Sequence, residues 1–452
     1  MTSGNWVVCS IRVILLIACL SVVVPAQTAV PPVLRLGLKQ AVELATAPEG
    51  NVRVRLADEL AHQAQARAAQ ARAALLPNVD ATVAQQNRTV NLAALGVRVE
   101  VPIPGFSFPS RVGPFNTFDA RATLTQNILD FSAIRRYQAA RLGVAVAELD
   151  SDSAREQIAA LVARSYLAAL RAEAHLEAVR ANRSLAEALL ELAEEQKAAG
   201  TGTGIEVTRA RVQLSNERQR VLVAENELRQ AHLQLLRSIG LGLDATVELA
   251  DRLSYEPVAP QTVGQALERA LHARADLQVL RRRQEAARLS YDAARLERWP
   301  SLAGFADYGT IGTRADNASP TRTYGVQVRV PLFDGGRRDA RRAENRSLLE
   351  QERLRVKDLV QQIDLEVRLA LDGLASAEEQ LKVAGEGLEL ADSELAQARR
   401  RYQAGLASSI EITDAQTRLA RARDNRTAAL YGFNLARINL AQATGTMREV
   451  VK

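Results

Sequence analysis

A seven-residue spacing over 360–402 constrains this chain more than any other feature. Val360, Val367, Leu374, Leu381, Leu388, Leu395 and Tyr402 recur at that interval. Ile363, Ala370, Ala377, Ala384, Ala391 and Ala398 form a second series in phase with the first, and no proline interrupts the run. Alternate steps of three and four put both series on one helix stripe, the seam of a left-handed coiled coil. One row is large and the other is mostly Ala, so a neighbouring backbone can approach closely. The partner must be another long helix. Burying each Leu or Val stabilises by about 1.5–3 kcal/mol, and a solvated helix would have no reason to keep the register.

A chain of 452 residues commonly divides into two or three domains, but this seam argues for one elongated body. Aromatic residues are only 4% of a chain that is 47% hydrophobic, a balance that suits Ala/Leu helices and not a globular enzyme core. The net charge of +6 comes from 58 basic and 52 acidic residues that are interspersed. They read as solvated helix faces, with no basic stripe for nucleic acid.

The N-terminus reads as an export signal. Arg12 precedes an apolar run from Val13 to Val24, too short for a membrane span. Val24-Pro25-Ala26 supplies small residues before Gln27, so cleavage after Ala26 is expected and 1–26 is the signal peptide. Leu16-Ile17-Ala18-Cys19 also resembles a lipoprotein box, which would leave an acylated Cys19, but the apolar run continues past it. Cys9 and Cys19 are the only cysteines. Cleavage at Ala26 would leave no disulfide and no thiolate ligand. Beyond Val24 there is no long apolar segment, so any membrane crossing must be by strands.

The chain repeats itself at an offset of about 205 residues, which reads as duplication of a large half and not as a solenoid. Gly200, Ile205, Glu206, Thr208, Ala210, Leu214, Ala231, Leu235 and Gly240 match Gly405, Ile410, Glu411, Thr413, Ala415, Leu419, Ala436, Leu440 and Gly445. Pro77 and Pro300 also correspond. The expected first repeat is 27–240: a helix, a β-hairpin over 78–128, a long helix, a tip at 199–204 and a return helix. A linker at 241–260 follows. The second repeat, 261–452, has the same order, with its β-hairpin over 301–333 and its tip at 404–409.

In each repeat the first helix (Leu38–Leu76, Val263–Trp299) has about 40 residues, the long helix about 70 and the return helix about 35. At 1.5 Å per residue the long helix spans about 105 Å, close to the sum of the other two. The economical packing sets one long helix antiparallel to two shorter ones stacked end to end, with Pro48 near the start of the first.

Strands follow from period-two alternation. Val79, Ala81 and Val83 alternate with Asp80, Thr82 and Ala84, and Ala120, Ala122 and Leu124 with Arg121, Thr123 and Thr125. Tyr324, Val326, Val328 and Val330 show the clearest pattern, while Leu302–Tyr308 is ambiguous. Between the first pair, Pro102, Pro104, Pro109 and Pro114 with Phe106, Phe108, Phe115 and Phe118 read as an exposed hairpin tip. The polar 310–322 reads likewise. Open strand edges are not tolerated in lipid, and bacterial barrels begin at about eight strands. The chain must therefore pool its strands with copies of itself, two or three on these grounds.

At the two Gly turns the sequence resembles the outer-membrane efflux protein family, the TolC-like channel-tunnels, over nearly all of the mature chain. Ala404-Gly405-Leu406 followed by Ile410-Glu411-Ile412-Thr413-Asp414-Ala415 resembles the family's tip and helix start. Ala199-Gly200-Thr201 with Ile205-Glu206-Val207-Thr208 is the first copy, and Arg401-Tyr402-Gln403 is also family-like. The resemblance implies a mostly α fold with short β segments. Long antiparallel coiled-coil hairpins and two β-hairpins per chain would form a homotrimer with a twelve-stranded β-barrel and a twelve-helix α-barrel. It implies the outer membrane, with lipid around the barrel, helices in the periplasm, a periplasmic adaptor and an inner-membrane pump.

The same resemblance assigns roles. Glu411 and Asp414, which alone would read as charges complementing a helix N-terminus, would line an acidic periplasmic aperture that prefers cations. Tyr402 and Glu206 would be lock residues between hairpins. Ala407 stands where the family has an Arg, so a looser lock is expected, with Arg209 as a substitute. Ala199, Gly200, Thr201, Ala404, Gly405 and Leu406 would be the docking tips for the adaptor.

Nothing points to an enzyme. Gly200-Thr201-Gly202-Thr203-Gly204 has no following Lys and no preceding strand, so it is not a phosphate cradle. His62, His175, His232 and His272 are scattered without metal-ligand spacing. No catalytic, cofactor or metal residues are expected. The rival reading is a periplasmic coiled-coil scaffold without a pore.

Overall fold

The computed structural model describes residues 34–96, 109–404, 406 and 409–450. The expected signal peptide with Cys9 and Cys19 lies outside them, as do Gly405, Ala407 and the stretch 97–108 with Pro102, Pro104, Phe106 and Phe108.

The chain opens with β1 (Leu34–Leu36), α1 (Leu38–Thr46) and α2 (Val52–Ala73). The hairpin β2 (Asn78–Asn91) and β3 (Arg111–Leu129) leads into α3 (Phe131–Ala198), and α4 (Gly204–Ile239) returns along it. The second half gives β4 (Val247–Leu249), α5 (Val263–Ala273), α6 (Ala275–Leu296), β5 (Ser301–Gly312) and β6 (Ser319–Arg329). Then come α7 (Arg337–Gln403), α8 (Ser409–Thr444) and a last turn α9 (Met447–Val450). With 68 residues, α3 spans about 100 Å. Among the described residues no helix is long and apolar enough to cross a membrane.

Helices and strands repeat one lateral order. The sheet runs β2-β3-β5-β6, antiparallel throughout. Among the helices, α2 and α4 flank α3, α3 packs on α6 and α8, and these pack on α7. Each strand adjoins the helix of its own column, so the molecule is a wall four columns wide. Its two outer columns, β2 with α2 and α4 on one side and β6 with α7 on the other, are unlike each other.

Alternation sorts the sheet's faces. One row across it reads Val79, Leu124, Ala306, Tyr324, and Val83, Val326 and Val328 share that face. The next row, on the other face, reads Asp80, Thr123, Asp307, Thr323. Arg121 on this polar face lies 2.7 Å from Asp119 and 3.4 Å from Asp307. The strands outrun the expected ones. Pro114, Phe115 and Phe118 lie in β3 and not in a loop, because a register shift near Thr89 and a positive φ at Gly113 absorb the proline. Pro320 sits near the start of β6, which lies at the edge of this chain's sheet, a position where a missing N–H is tolerated.

The heptad seam is packed. Leu388, Ala391, Leu395, Ala398 and Tyr402 of α7 meet Ile412, Ala415, Leu419 and Ala422 of α8. Further up α7, Ile363 and Val367 are fully buried against Ala266, Ala270 and Leu277.

The expected continuous first helices are each broken in two. Asn51 caps α2, accepting from the Arg53 amide at 2.9 Å, and Arg274 ends α5 with ψ 119°. Pro48, directly after the C-cap Ala47, stops α1 locally, whereas the break at Arg274 has no proline and its reason is tertiary. The C-terminal ends of α4 and α8 sit in the gaps. Asn51 donates to the Ser238 carbonyl at 2.8 Å, and Arg274 reaches the Ala443 carbonyl at 3.5 Å. Ser238 and Ala443 are separated by the repeat offset of about 205 residues. Arg274 is itself held by Asp276 at 2.7 Å and by Glu366 of α7.

This waist carries the largest core, centred on the middle of α3. Tyr166 is fully buried there, and its hydroxyl donates toward the Leu36 carbonyl and Asp251, at 2.9 and 2.8 Å. Burial and the Asp251 carboxylate push its ionisation far up. The parallel pair β1 and β4 lies beside it, closed by Arg35 and Glu248 at 3.0 Å. A β-strand inside the expected linker, and its pairing with the start of the chain, left no alternation to read, since each has three residues.

Candidate functional site at the helical tips

Both hairpin tips are built by one device. Where α3 ends, the Thr201 amide donates to the Gln196 carbonyl at 2.9 Å and the Gly200 amide to Lys197 at 3.1 Å. Gly200 has φ +75°. This is a Schellman termination, which needs a left-handed residue and so favours glycine. At the second tip the Leu406 amide donates to Arg401 at 2.8 Å, the same six-residue closure. Ala199 and Ala404 are the C-caps. Leu406 is 74% exposed.

Glu206 serves its own helix. Its carboxylate accepts from the Thr203 amide at 2.8 Å and the Thr203 hydroxyl at 3.0 Å, a capping box. Tyr402, largely buried, donates its hydroxyl to Gln196 at 2.5 Å, so it reaches from α7 to the end of α3. Burial and then the nearby Glu206 carboxylate raise its pKa. Arg209 joins Glu206, Tyr402, Gln213, Ile412 and Gln416 around one small cavity between the two hairpins. The three lock candidates therefore share one place, with Gln196 as the direct partner of Tyr402.

Glu411 and Asp414 both carry counter-charges. Arg401 lies 3.3 Å from Glu411 across the tip. Arg418 lies 3.2 Å from Asp414, one turn along the helix, and 2.6 Å from Glu394 of α7. Sequence reasoning passed over Gln196, Arg418 and Glu394, and it noted Arg401 without its pairing to Glu411. The four-residue step from Asp414 to Arg418 could have flagged one of them; the others are tertiary. All these pairs are substantially exposed, so each contributes little to stability. Together they offset the charge a bare acidic rim would have. Among the described residues no group of His, Cys, Asp and Glu is placed to hold a metal.

The comparisons with known proteins bear on the whole architecture. The model of the outer membrane efflux protein family matches residues 49–241 and 266–446, one segment per repeat. The pyoverdine export outer membrane protein OpmQ of Pseudomonas aeruginosa is 27% identical over 396 residues, covering 85% of this chain and 80% of the relative. The alkaline protease secretion protein AprF of the same organism is 23% identical, covering 74% of this chain and 71% of AprF. Among solved structures, the outer membrane protein VceC of Vibrio cholerae superposes with a TM-score of 0.74 at 20% identity, over 90% of this chain and 96% of VceC. The open state of the MtrE outer membrane channel of Neisseria gonorrhoeae gives 0.75 at 16% identity, over 90% and 88%. With both repeats matched and the four-column wall shared, this chain is a member of the outer membrane efflux protein family.

Proposed function

We propose that three copies of this chain close into an outer-membrane exit duct, a twelve-stranded β-barrel continued by a twelve-helix tunnel in the periplasm. The observation that carries the reading is the wall with two unlike open edges. Unpaired backbone along β2 and β6 cannot remain in lipid, and pairing β6 of one copy with β2 of the next satisfies both. Such a head-to-tail contact closes when the rotation per copy divides a full turn. The helical edges support the same join. Val52, Leu56 and Leu60 on α2, and Ile205, Val212 and Leu222 on α4, are exposed. So are Leu354, Leu365, Leu369, Val383 and Leu390 on α7. Apolar residues left bare on opposite flanks of one wall are the two halves of an interface.

The apolar face of the sheet turns to lipid and the polar face to the lumen. The duct takes cargo from an inner-membrane pump through a periplasmic adaptor, which docks at Ala199, Gly200, Thr201, Ala404, Gly405 and Leu406. The relatives export pyoverdine and secrete alkaline protease, which supports cargo in either the small-molecule or the protein class. Glu411 and Asp414 gather near the threefold axis, each with its arginine, so cation preference at the aperture is weaker than six bare carboxylates would give. Tyr402, Glu206 and Arg209 form the lock region between hairpins, and the chain itself performs no chemistry.

The decisive experiment purifies the protein from outer membranes. Heat-modifiable trimers and ion conductance in planar bilayers are expected. A detergent-soluble monomer without conductance would instead favour the periplasmic scaffold.

A further inference from the structure

The two helical hairpins meet where α3 lies against α8. Polar links across that seam include arginines bonded to side-chain amides. Arg423 donates to Asn182 at 3.0 Å, and Arg164 donates to Asn439 at 3.0 Å. One link instead joins an imidazole to a carboxylate. His175 of α3 places Nδ1 3.4 Å from the Asp424 carboxylate of α8. The pair lies in a groove between α3, α4 and α8 that Asn182, Arg220, Thr417 and Arg421 also line.

We propose that His175 and Asp424 form an acid-strengthened latch across the α3–α8 seam, holding the two hairpins together at low pH and releasing them as pH rises. Only its consequence for conduction rests on the exit-duct reading.

The surroundings set the sign. From α8, Asp424 favours the imidazolium and Arg421 lines the same groove. From α4, Glu227 also favours it, and Arg220 stands across the groove. On α3 itself Arg171 opposes it, but that guanidinium is held 5.0 Å over the Tyr431 ring. The hydrogen bond to Asp424 is the largest influence, burial works against it, and the net result lifts the His175 pKa above its ordinary value. A group whose pKa is raised in the closed seam contributes fully below the unperturbed value, near 6.5, and that contribution is lost as pH rises through the raised value. His232 on α4 behaves oppositely. Burial lowers its pKa and its Nε2 has no partner, so acid favours any opening that exposes it, a response opposite in sign to that of the latch and still present in His175→Gln.

The test compares the native protein with His175→Gln and Asp424→Asn at about pH 6 and about pH 8. Backbone hydrogen exchange in α3 and α8 beside the latch, corrected for the intrinsic pH dependence, should be about two- to fivefold slower at the lower pH, as suits a partly exposed pair. Open probability in bilayers should fall by a similar factor, and both substitutions should abolish both responses. Equal corrected exchange at the two pH values in the native protein would overturn the latch. So would a slowing at low pH that survives in both variants. An exchange response without conductance at either pH would uphold the latch and sink the exit-duct reading.

Discussion

At the waist and at the tips the helices end with the same bond, yet the glycines beyond them meet different surroundings. The Leu241 amide closes on Leu236 and the Thr446 amide on Ala441, at 3.0 and 2.8 Å, as Thr201 closes on Gln196 and Leu406 on Arg401. A Cβ at Gly240 would stand 3.0 Å from the Gly50 carbonyl oxygen, and one at Gly445 would stand 3.0 Å from the Arg274 nitrogen. A Cβ at Gly200 would meet nothing. One sequence feature thus does two jobs. At the waist glycine is required by conformation and by contact. At the tip it is required by conformation alone, and its open side is free for a partner.

The largest effect should come from filling the waist. Gly240→Ala and Gly445→Ala each combine a left-handed backbone with a backbone clash, and each should cost about 2–4 kcal/mol in thermal or denaturant unfolding. Losses below about 1 kcal/mol would erase the distinction between waist and tip. The next effect sharpens the comparison between repeats. Arg274→Ala removes the donor from Ala443 and strands two partly exposed carboxylates, for an expected loss of about 2–3 kcal/mol. Asn51→Ala, which removes neutral bonds only, should cost about 1–2 kcal/mol. A larger loss from Asn51 would mean that the neutral joint, and not the ionic one, anchors the waist. The smallest change in stability belongs to the tip. Gly200→Ala should cost about 1 kcal/mol, and Leu406→Asp should leave folding and assembly unchanged while export stops. Normal export by Leu406→Asp, measured in cells with the trimer present, would remove docking from that tip.

Local periodicity made much of this architecture legible. The heptads over 360–402 identified a helix and the face it buries, and the offset of about 205 residues paired Gly200 with Gly405 and Gly240 with Gly445. What stayed hidden depends on contacts distant in sequence. The break at Arg274 has no proline to announce it and follows from the end of α8 lying against it. β1 and β4 are too short to alternate. Pro114 and Pro320 read as loop, yet a bulge and a sheet edge admit them to strands. At the tips, Glu411 and Asp414 were visible as charges, whereas Arg401 reaches Glu411 only because the turn folds back. Tyr402 stood out at the end of its heptad row, but Gln196, its partner, lies more than a hundred residues away and carries no mark of its own.

The two unlike edges of the wall have a genetic consequence. If assembly draws three copies at random from a mixed pool, a variant that folds but spoils one edge still joins through its sound edge and leaves the ring unclosed. With equal amounts of both, about one ring in eight would contain only sound members. A damaged allele of this kind would therefore dominate a cell that still carries an intact one, and the severity of that interference would count the copies in each ring.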